Sequence, residues 1–174
     1  MSVESLKSKL RTVPDFPIPG ILFWDVTTLF NDPEGLAETL DILYDMYKDK
    51  GITKVVGIES RGYVLGAALA ARLGAGFVLA RKKGKLPAET LSIEYSKEYG
   101  TDTVEIHSDA LKADDVVLIH DDLIATGGTA AAIERLVRRF GVTKISVNFL
   151  IEIEELEGRK LFSPDVDVQS IIKV

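Results

Sequence analysis

Residues 116–129, VVLIHDDLIATGGT, join an apolar run to two adjacent aspartates and a Thr-Gly-Gly-Thr turn. Val116 to Ile119 read as a buried strand, and Ala132, Ile133, Leu136, Val137 and Phe140 mark one face of a following helix. The turn therefore lies at a strand's carboxyl end and opens a helix. Gly127 and Gly128 let the backbone fold closely around a ligand, while the helix start offers unpaired N–H groups and positive dipole charge, which suit a phosphate. Thr126 and Thr129 add hydroxyl donors. Asp121 and Asp122 would repel a phosphate at contact, and suit sugar hydroxyls or a hydrated metal ion instead. A phosphorylated pentose satisfies both halves. A solvated, helix-capping turn can carry the same Asp-Asp and Gly-Gly residues, but the complete order of strand, acids and Thr/Gly loop favours a site. No GxxxxGK[ST] occurs, and Gly57, Gly62 and Gly66 are spaced wrongly for GxGxxG, which disfavours NTP hydrolysis and dinucleotide redox chemistry.

Two further clusters fit anion chemistry. Glu59-Ser60-Arg61-Gly62 lies between a strand and a helix, where helix N–H groups and the Arg61 guanidinium could hold a pyrophosphate. The plain alternative is a helix cap, with Ser60 as capping residue and Glu59 at the helix start. Arg81, Lys82, Lys83 and Lys85 follow another apolar strand, with Gly84 as a hinge and a long aperiodic stretch behind, as expected of a lid. A run of charges at a strand terminus is otherwise a solvated end. His120 and His107 read as core histidines, and neither has partners at zinc-ligand spacing.

These groups need a framework to position them. Residues 4–11 suggest a short helix, and the prolines of PDFPIPG force an extended segment after it. Leu36, Leu40, Leu43, Tyr44 and Tyr47 mark a helical face, and strands are expected at 54–58, 76–80, 103–107, 144–153 and 166–172. The helix from about Gly62 to Leu73 is apolar nearly all round and therefore buried. Residues 84–100 show no persistent period. Alternating strands and helices imply an α/β fold, with a mostly parallel twisted sheet flanked by helices and ligands gathered at the strands' carboxyl ends.

The chain has 174 residues, 46% of them hydrophobic, enough for the core of a single domain over 1–174. With no cysteine there is no disulfide or zinc-thiolate site. No stretch approaches the roughly 20 apolar residues of a membrane span, so no membrane is expected and a cytoplasmic location is. A formal charge of −6 argues against general nucleic-acid binding.

The strand, acidic pair and Thr/Gly loop resemble the phosphoribosyl-pyrophosphate motif of the type I phosphoribosyltransferases. PDFPIPGILFWD at 14–25, ESRGYVLG at 59–66, RKKGKLP at 81–87 and EYGTDTVEIH at 98–107 are similar to that family's adenine-using branch. The resemblance implies a small N-terminal hood, a flexible lid loop, and purine salvage from adenine and phosphoribosyl pyrophosphate to AMP and pyrophosphate. It places the phosphate on Ala125, Thr126, Gly127, Gly128 and Thr129, and the pyrophosphate on Glu59, Ser60, Arg61, Arg81, Lys82 and Lys85, with a cis peptide before Ser60. Adenine is assigned to Leu22, Phe23 and Trp24 on one side and Ile153 on the other. Trp24 stands where the family commonly has arginine. Glu98 would hydrogen-bond the base or handle its proton, and Tyr99 would shield the ribose. Glu98, Arg61, Asp121 and Asp122 form the implied catalytic set. Mg²⁺ would be held by substrate and water near Asp121 and Asp122, without a direct protein ligand, and a homodimer is expected. Two other readings are a transferase for xanthine or guanine, and a phosphoribosyl-pyrophosphate sensor without catalysis. The sensor would need a DNA-binding element for which the chain has no room.

Overall fold

The prolines that exclude a helix at 14–19 produce instead the connection of a hairpin. In the computed structural model, which describes residues 2–97 and 99–174, the chain forms two units, residues 1–46 and 47–174. In the first, α1 (Val3–Ser8) is capped by Ser2, whose hydroxyl accepts the Ser5 N–H at 3.3 Å. The helix stops at Lys9, short of the expected Arg11, because Arg11 belongs to β1 (Arg11–Pro14). This strand pairs antiparallel with β2 (Leu22–Asp25), from Arg11 opposite Asp25 to Pro14 opposite Leu22. Arg11 also binds the Asp25 carboxylate at 2.5 Å, and hydrogen bonds from Thr27 and then Arg11 hold that carboxyl at about 2. The short α2 (Thr27–Phe30) and the longer α3 (Pro33–Tyr47) follow.

The second unit is built on a seven-stranded sheet. Its members are β3 (Lys54–Ile58), β4 (Gly76–Lys82), β5 (Thr90–Ser96), β6 (Thr101–His107), β7 (Val116–Ile124), β8 (Lys144–Glu152) and β9 (Asp167–Lys173). The order is β5-β6-β4-β3-β7-β8-β9. From β4 through β9 the neighbours run parallel, while β6 is antiparallel to both β4 and β5. Two helices connect the parallel strands: α4 (Gly62–Leu73), as expected, and α5 (Gly128–Arg138). Successive strand residues face opposite sides of a sheet. Thus Val117 and Ile119 join the apolar core with Ile133, Leu136 and Val137 of α5, whereas Gly57 and His120 lie toward Gly66 of α4.

Two further sequence expectations change. The aperiodic stretch 84–100 contains β5, paired with β6 from Thr90 opposite His107 to Ser96 opposite Thr101. Its alternation, Leu91, Ile93 and Tyr95, is short and lies between polar and charged flanks, so a window over the whole stretch hides it. The expected lid loop is therefore in part a hairpin. The second change is at β7, which continues to Ile124 rather than ending at Ile119. Asp121 and Asp122 are strand residues, paired alongside β8, and do not belong to the turn.

Candidate active site

Parallel strands end on one edge of their sheet, so the segments after β3, β4, β7 and β8 converge. The first is Glu59-Ser60-Arg61, with a cis peptide between Glu59 and Ser60. Glu59 does not act as a free helix-start charge. Its carboxylate accepts from Arg81 at 3.1 Å and from the Lys82 N–H at 2.9 Å. The Arg81 hydrogen bond lowers the Glu59 pKa despite partial burial. Ser60 makes no capping bond, since α4 starts from Arg61 in helical conformation without a side-chain cap. Lys85 lies beyond the end of β4, where its carbonyl accepts from the Arg81 guanidinium at 3.3 Å.

Gly62 brings this loop to the acidic pair. A Cβ there would come within 2.8 Å of the His120 carbonyl and 3.0 Å of Asp121 Oδ1. The close approach lets Arg61 Nε donate to Asp122 Oδ2 at 2.5 Å. Asp122 is buried, and Arg61 is half exposed. The two aspartates are therefore not equivalent. Asp121 accepts the Asp122 N–H at 2.8 Å, and burial, reinforced by the neighbouring Asp122 charge, raises its pKa well above the usual carboxylate range. Asp121 borders both a cavity of about 300 Å³ with Ser60, Arg61 and Lys82, and one of about 160 Å³ with residues 125–129.

The second wall of that smaller cavity is the loop Ala125-Thr126-Gly127-Gly128-Thr129. Gly127 has φ of +84° and precedes α5, whose first turn carries no side-chain cap. Its N–H groups are therefore available in the way an anion site needs. Close packing fixes the loop from behind: a Cβ on Gly127 would lie 2.5 Å from the Gly158 carbonyl, and one on Gly158 would lie 2.5 Å from the Ala125 carbonyl. Gly158 opens a short 3₁₀ turn, Gly158–Leu161, in which Arg159 grips the Glu152 carboxylate at 2.7 and 2.5 Å and Ser170 adds a further hydrogen bond to Glu152. Sequence reasoning did not find Gly158, Arg159 or Glu152. Their spacing follows no element period, and the one available signal was a glycine flanked by charged residues.

Ile153 lies just after β8, and its N–H donates to the Ile124 carbonyl at 3.1 Å, beside the Ala125–Thr129 loop. Tyr99 is 87% exposed, in the turn between β5 and β6. Glu98 lies outside the described residues. In the first unit, Leu22 is exposed, Phe23 meets Phe16 edge-on at 5.1 Å, and the Lys7 ammonium sits 5.8 Å from the Trp24 ring. His120 is a core residue, as expected, with Nδ1 3.1 Å from Asn148 Oδ1. His107, expected in the core, is instead half-buried at the end of β6, where Nε2 accepts the Ala88 N–H at 3.4 Å. Among the described residues, no cluster of three or more His, Cys, Asp or Glu side chains is placed to hold a metal ion. No helix of the described residues is long and apolar enough to cross a membrane.

A cationic loop and a backbone loop on either side of an acidic pair are features that comparison can test. The phosphoribosyl transferase domain family matches residues 25–173. An adenine phosphoribosyltransferase from Phocaeicola vulgatus is 66% identical over 172 residues, covering 99% of each chain. The crystal structure of adenine phosphoribosyltransferase from Rhodothermus marinus is 52% identical with a TM-score of 0.94, over 99% of this chain and 98% of that one. A Giardia lamblia enzyme of that type, complexed with 9-deazaadenine, is 41% identical with a TM-score of 0.92, over 100% of this chain and 98% of its own. Agreement at this identity over both full lengths extends well beyond a shared sheet, and the chain therefore belongs to the phosphoribosyl transferase domain family and, within it, to the adenine phosphoribosyltransferases.

Proposed function

We propose that the chain transfers the 5-phosphoribosyl group of phosphoribosyl pyrophosphate to N9 of adenine, forming AMP and releasing pyrophosphate, and that residues 1–174 work as one phosphoribosyltransferase domain. The observation that carries the residue roles is the position of Asp121, which borders the cavity of the Gly127-Gly128 loop on one side and that of Ser60, Arg61 and Lys82 on the other. A substrate with a phosphate at one end and a pyrophosphate at the other fits that sequence of groups. The amides of residues 126–129, with the Thr126 and Thr129 hydroxyls, take the 5-phosphate. Arg61, Arg81, Lys82 and Lys85, with Ser60, take the pyrophosphate.

As the bond from the anomeric carbon to pyrophosphate loosens, positive charge develops on the sugar and negative charge on the leaving group. Asp121 and Asp122 accept from the ribose hydroxyls and favour the sugar's growing charge. The cations stabilise the departing anion, and binding energy at the remote phosphate orients the reacting carbon. Phosphoribosyltransferases use Mg²⁺ with this substrate. Two carboxylates beside an anion site suit a hydrated Mg²⁺ carried mainly on substrate oxygens, with Asp121 and Asp122 nearby. When bound, the ion would offset pyrophosphate charge.

Leu22, Phe23, Trp24 and Ile153 are proposed to contact the base, through apolar surface and the backbone groups of Leu22 and Trp24. Glu98 is proposed to handle the base's proton and Tyr99 to shield the ribose. Adenine as acceptor is supported by the full-length similarity to enzymes named for it. A homodimer is proposed from the family resemblance, and a cytoplasmic location from the apolar patterning of the sequence.

Incubating the protein with phosphoribosyl pyrophosphate, Mg²⁺ and adenine, guanine or xanthine in turn, with chromatographic identification of products, tests the reaction. AMP from adenine, with at most traces from the other bases, is the expected result. Folded protein that makes no AMP would end the proposal.

A further inference from the structure

Tyr95 has no part in the roles above, yet it touches the phosphate loop. It lies on β5, is 9% exposed, and its hydroxyl sits 2.9 Å from Thr129 Oγ1. The contact is backed by the strand: a Cβ on Gly128 would lie 3.9 Å from the Tyr95 ring and 3.8 Å from the Ser96 carbonyl. The β5–β6 hairpin therefore packs directly on the first turn of α5. Tyr95 and Thr129 also line the same cavity of about 330 Å³, together with Arg81, Lys82 and Asp121.

The chemistry of two hydroxyls in contact gives this pair a direction. Each carries one hydrogen and two lone pairs. A phosphate oxygen beside Thr129 can only accept, so Thr129 must spend its single proton on the phosphate. Its lone pair then needs a donor, and the Tyr95 O–H is in place to supply one. With Tyr95 donating, the Thr129 proton is turned away from the hairpin and toward the loop's concave side. Without the phenol oxygen, the threonine hydroxyl rotates among alternatives and must be oriented during binding. Polarisation along two consecutive hydrogen bonds strengthens the second.

We propose that Tyr95 is a positioning residue for the 5-phosphate: its hydroxyl donates to Thr129 Oγ1, orients the Thr129 proton at the phosphate, and joins the β5–β6 hairpin to the phosphate loop. The inference rests on the phosphate-loop reading above. A tyrosine that merely fills the core would affect stability and every ligand alike, whereas this role is confined to ligands bearing the 5-phosphate and acts through Thr129.

The test uses the full chain as Y95F, T129V, T129S and the double variant Y95F/T129V. Dissociation constants for ribose 5-phosphate and for pyrophosphate are measured by calorimetry, and KM for each substrate by steady-state assay. One uncharged hydrogen bond corresponds to roughly a three- to tenfold effect. Y95F is expected to weaken ribose 5-phosphate and raise KM for phosphoribosyl pyrophosphate by that factor, leaving pyrophosphate affinity and KM for adenine within about twofold of the parent. T129S, which keeps the hydroxyl, should lose less ribose 5-phosphate affinity than T129V, and Y95F should add nothing in the T129V background.

Three results overturn the proposal alone: a Y95F enzyme with parental ribose 5-phosphate affinity, one weakened for pyrophosphate to the same degree, or an undiminished Y95F effect in the T129V background. If T129V itself leaves ribose 5-phosphate affinity unchanged, the phosphate-loop reading falls as well. Should Y95F fold poorly, the comparison of T129S with T129V still decides, because equal losses in both would remove the oriented hydroxyl from the account.

Discussion

The two loops that end β3 and β7 have the same local plan, a strand tip turning into a helix, but they meet an anion by opposite means. The β7 loop, Ala125 to Thr129, carries no charge and is shaped by backbone packing, with Gly127 and Gly158 in mutual contact. The β3 loop is charged and already paired with neighbouring strands, Arg61 with Asp122 of β7 and Glu59 with Arg81 of β4. A ligand at the first loop meets preformed donors. A ligand at the second competes with carboxylates for the same cations, so binding there exchanges ion pairs rather than adding them. A terminal monophosphate that stays with the product suits the first arrangement, and a pyrophosphate that must leave suits the second.

The sharpest break in this contrast is steric. G127V places a branched side chain where a Cβ alone would lie 2.5 Å from the Gly158 carbonyl, at a positive φ. We expect kcat/KM for phosphoribosyl pyrophosphate to fall by about a thousandfold or more, with pyrophosphate affinity in direct titration far less affected. Loss of both to the same degree would show that the two loops are not separable.

A smaller effect, on stability, distinguishes the strand beneath the Ala125–Thr129 loop. His120 is fully buried, and burial, opposed by the Asn148 hydrogen bond and the Asp122 charge, lowers its pKa from 6.5 to about 4. Below pH 6.5 the unfolded chain takes up a proton that the folded chain refuses until about pH 4. Stability is therefore complete above that window and falls as the pH falls through it, by on the order of 3 kcal/mol. Urea midpoints measured between neutral and acidic pH check this, and H120V should lose that component of the pH dependence whatever its stability at neutral pH.

Removing a cation tests the charged loop. R61M deletes the partner of a buried carboxylate and one proposed pyrophosphate contact, and should raise the dissociation constant for pyrophosphate by roughly ten- to thirtyfold. Ribose 5-phosphate should change by no more than about threefold, since Arg61 belongs to the other cavity. The mildest probe is salt. Between about 0.05 and 0.5 M KCl, pyrophosphate binding should weaken several-fold more than ribose 5-phosphate binding, because its partners are partly exposed side-chain charges subject to screening.

Much of this is legible in the sequence alone. Periodicity located α4 and the parallel strands to within a few residues, because a buried helix and buried strands must repeat their apolar residues at 3.6 and 2.0. The turn at 125–129 was legible because glycines, threonines and a helix start are local features. The strand β5 was missed because seven alternating residues are too few to outweigh charged flanks, and the extension of β7 because aspartates do not signal a strand.

What the sequence determined by itself was therefore local: which segments are strands or helices, which residue types can meet a phosphate, and the family whose motifs they match. The tertiary structure alone decided the partners. Glu59 with Arg81, Arg61 with Asp122, Gly127 with Gly158 and Tyr95 with Thr129 are separated by 22, 61, 31 and 34 positions respectively. No periodicity links such pairs, since the chain brings them together only when parallel strands align their carboxyl ends and backbone packing sets the distances between them.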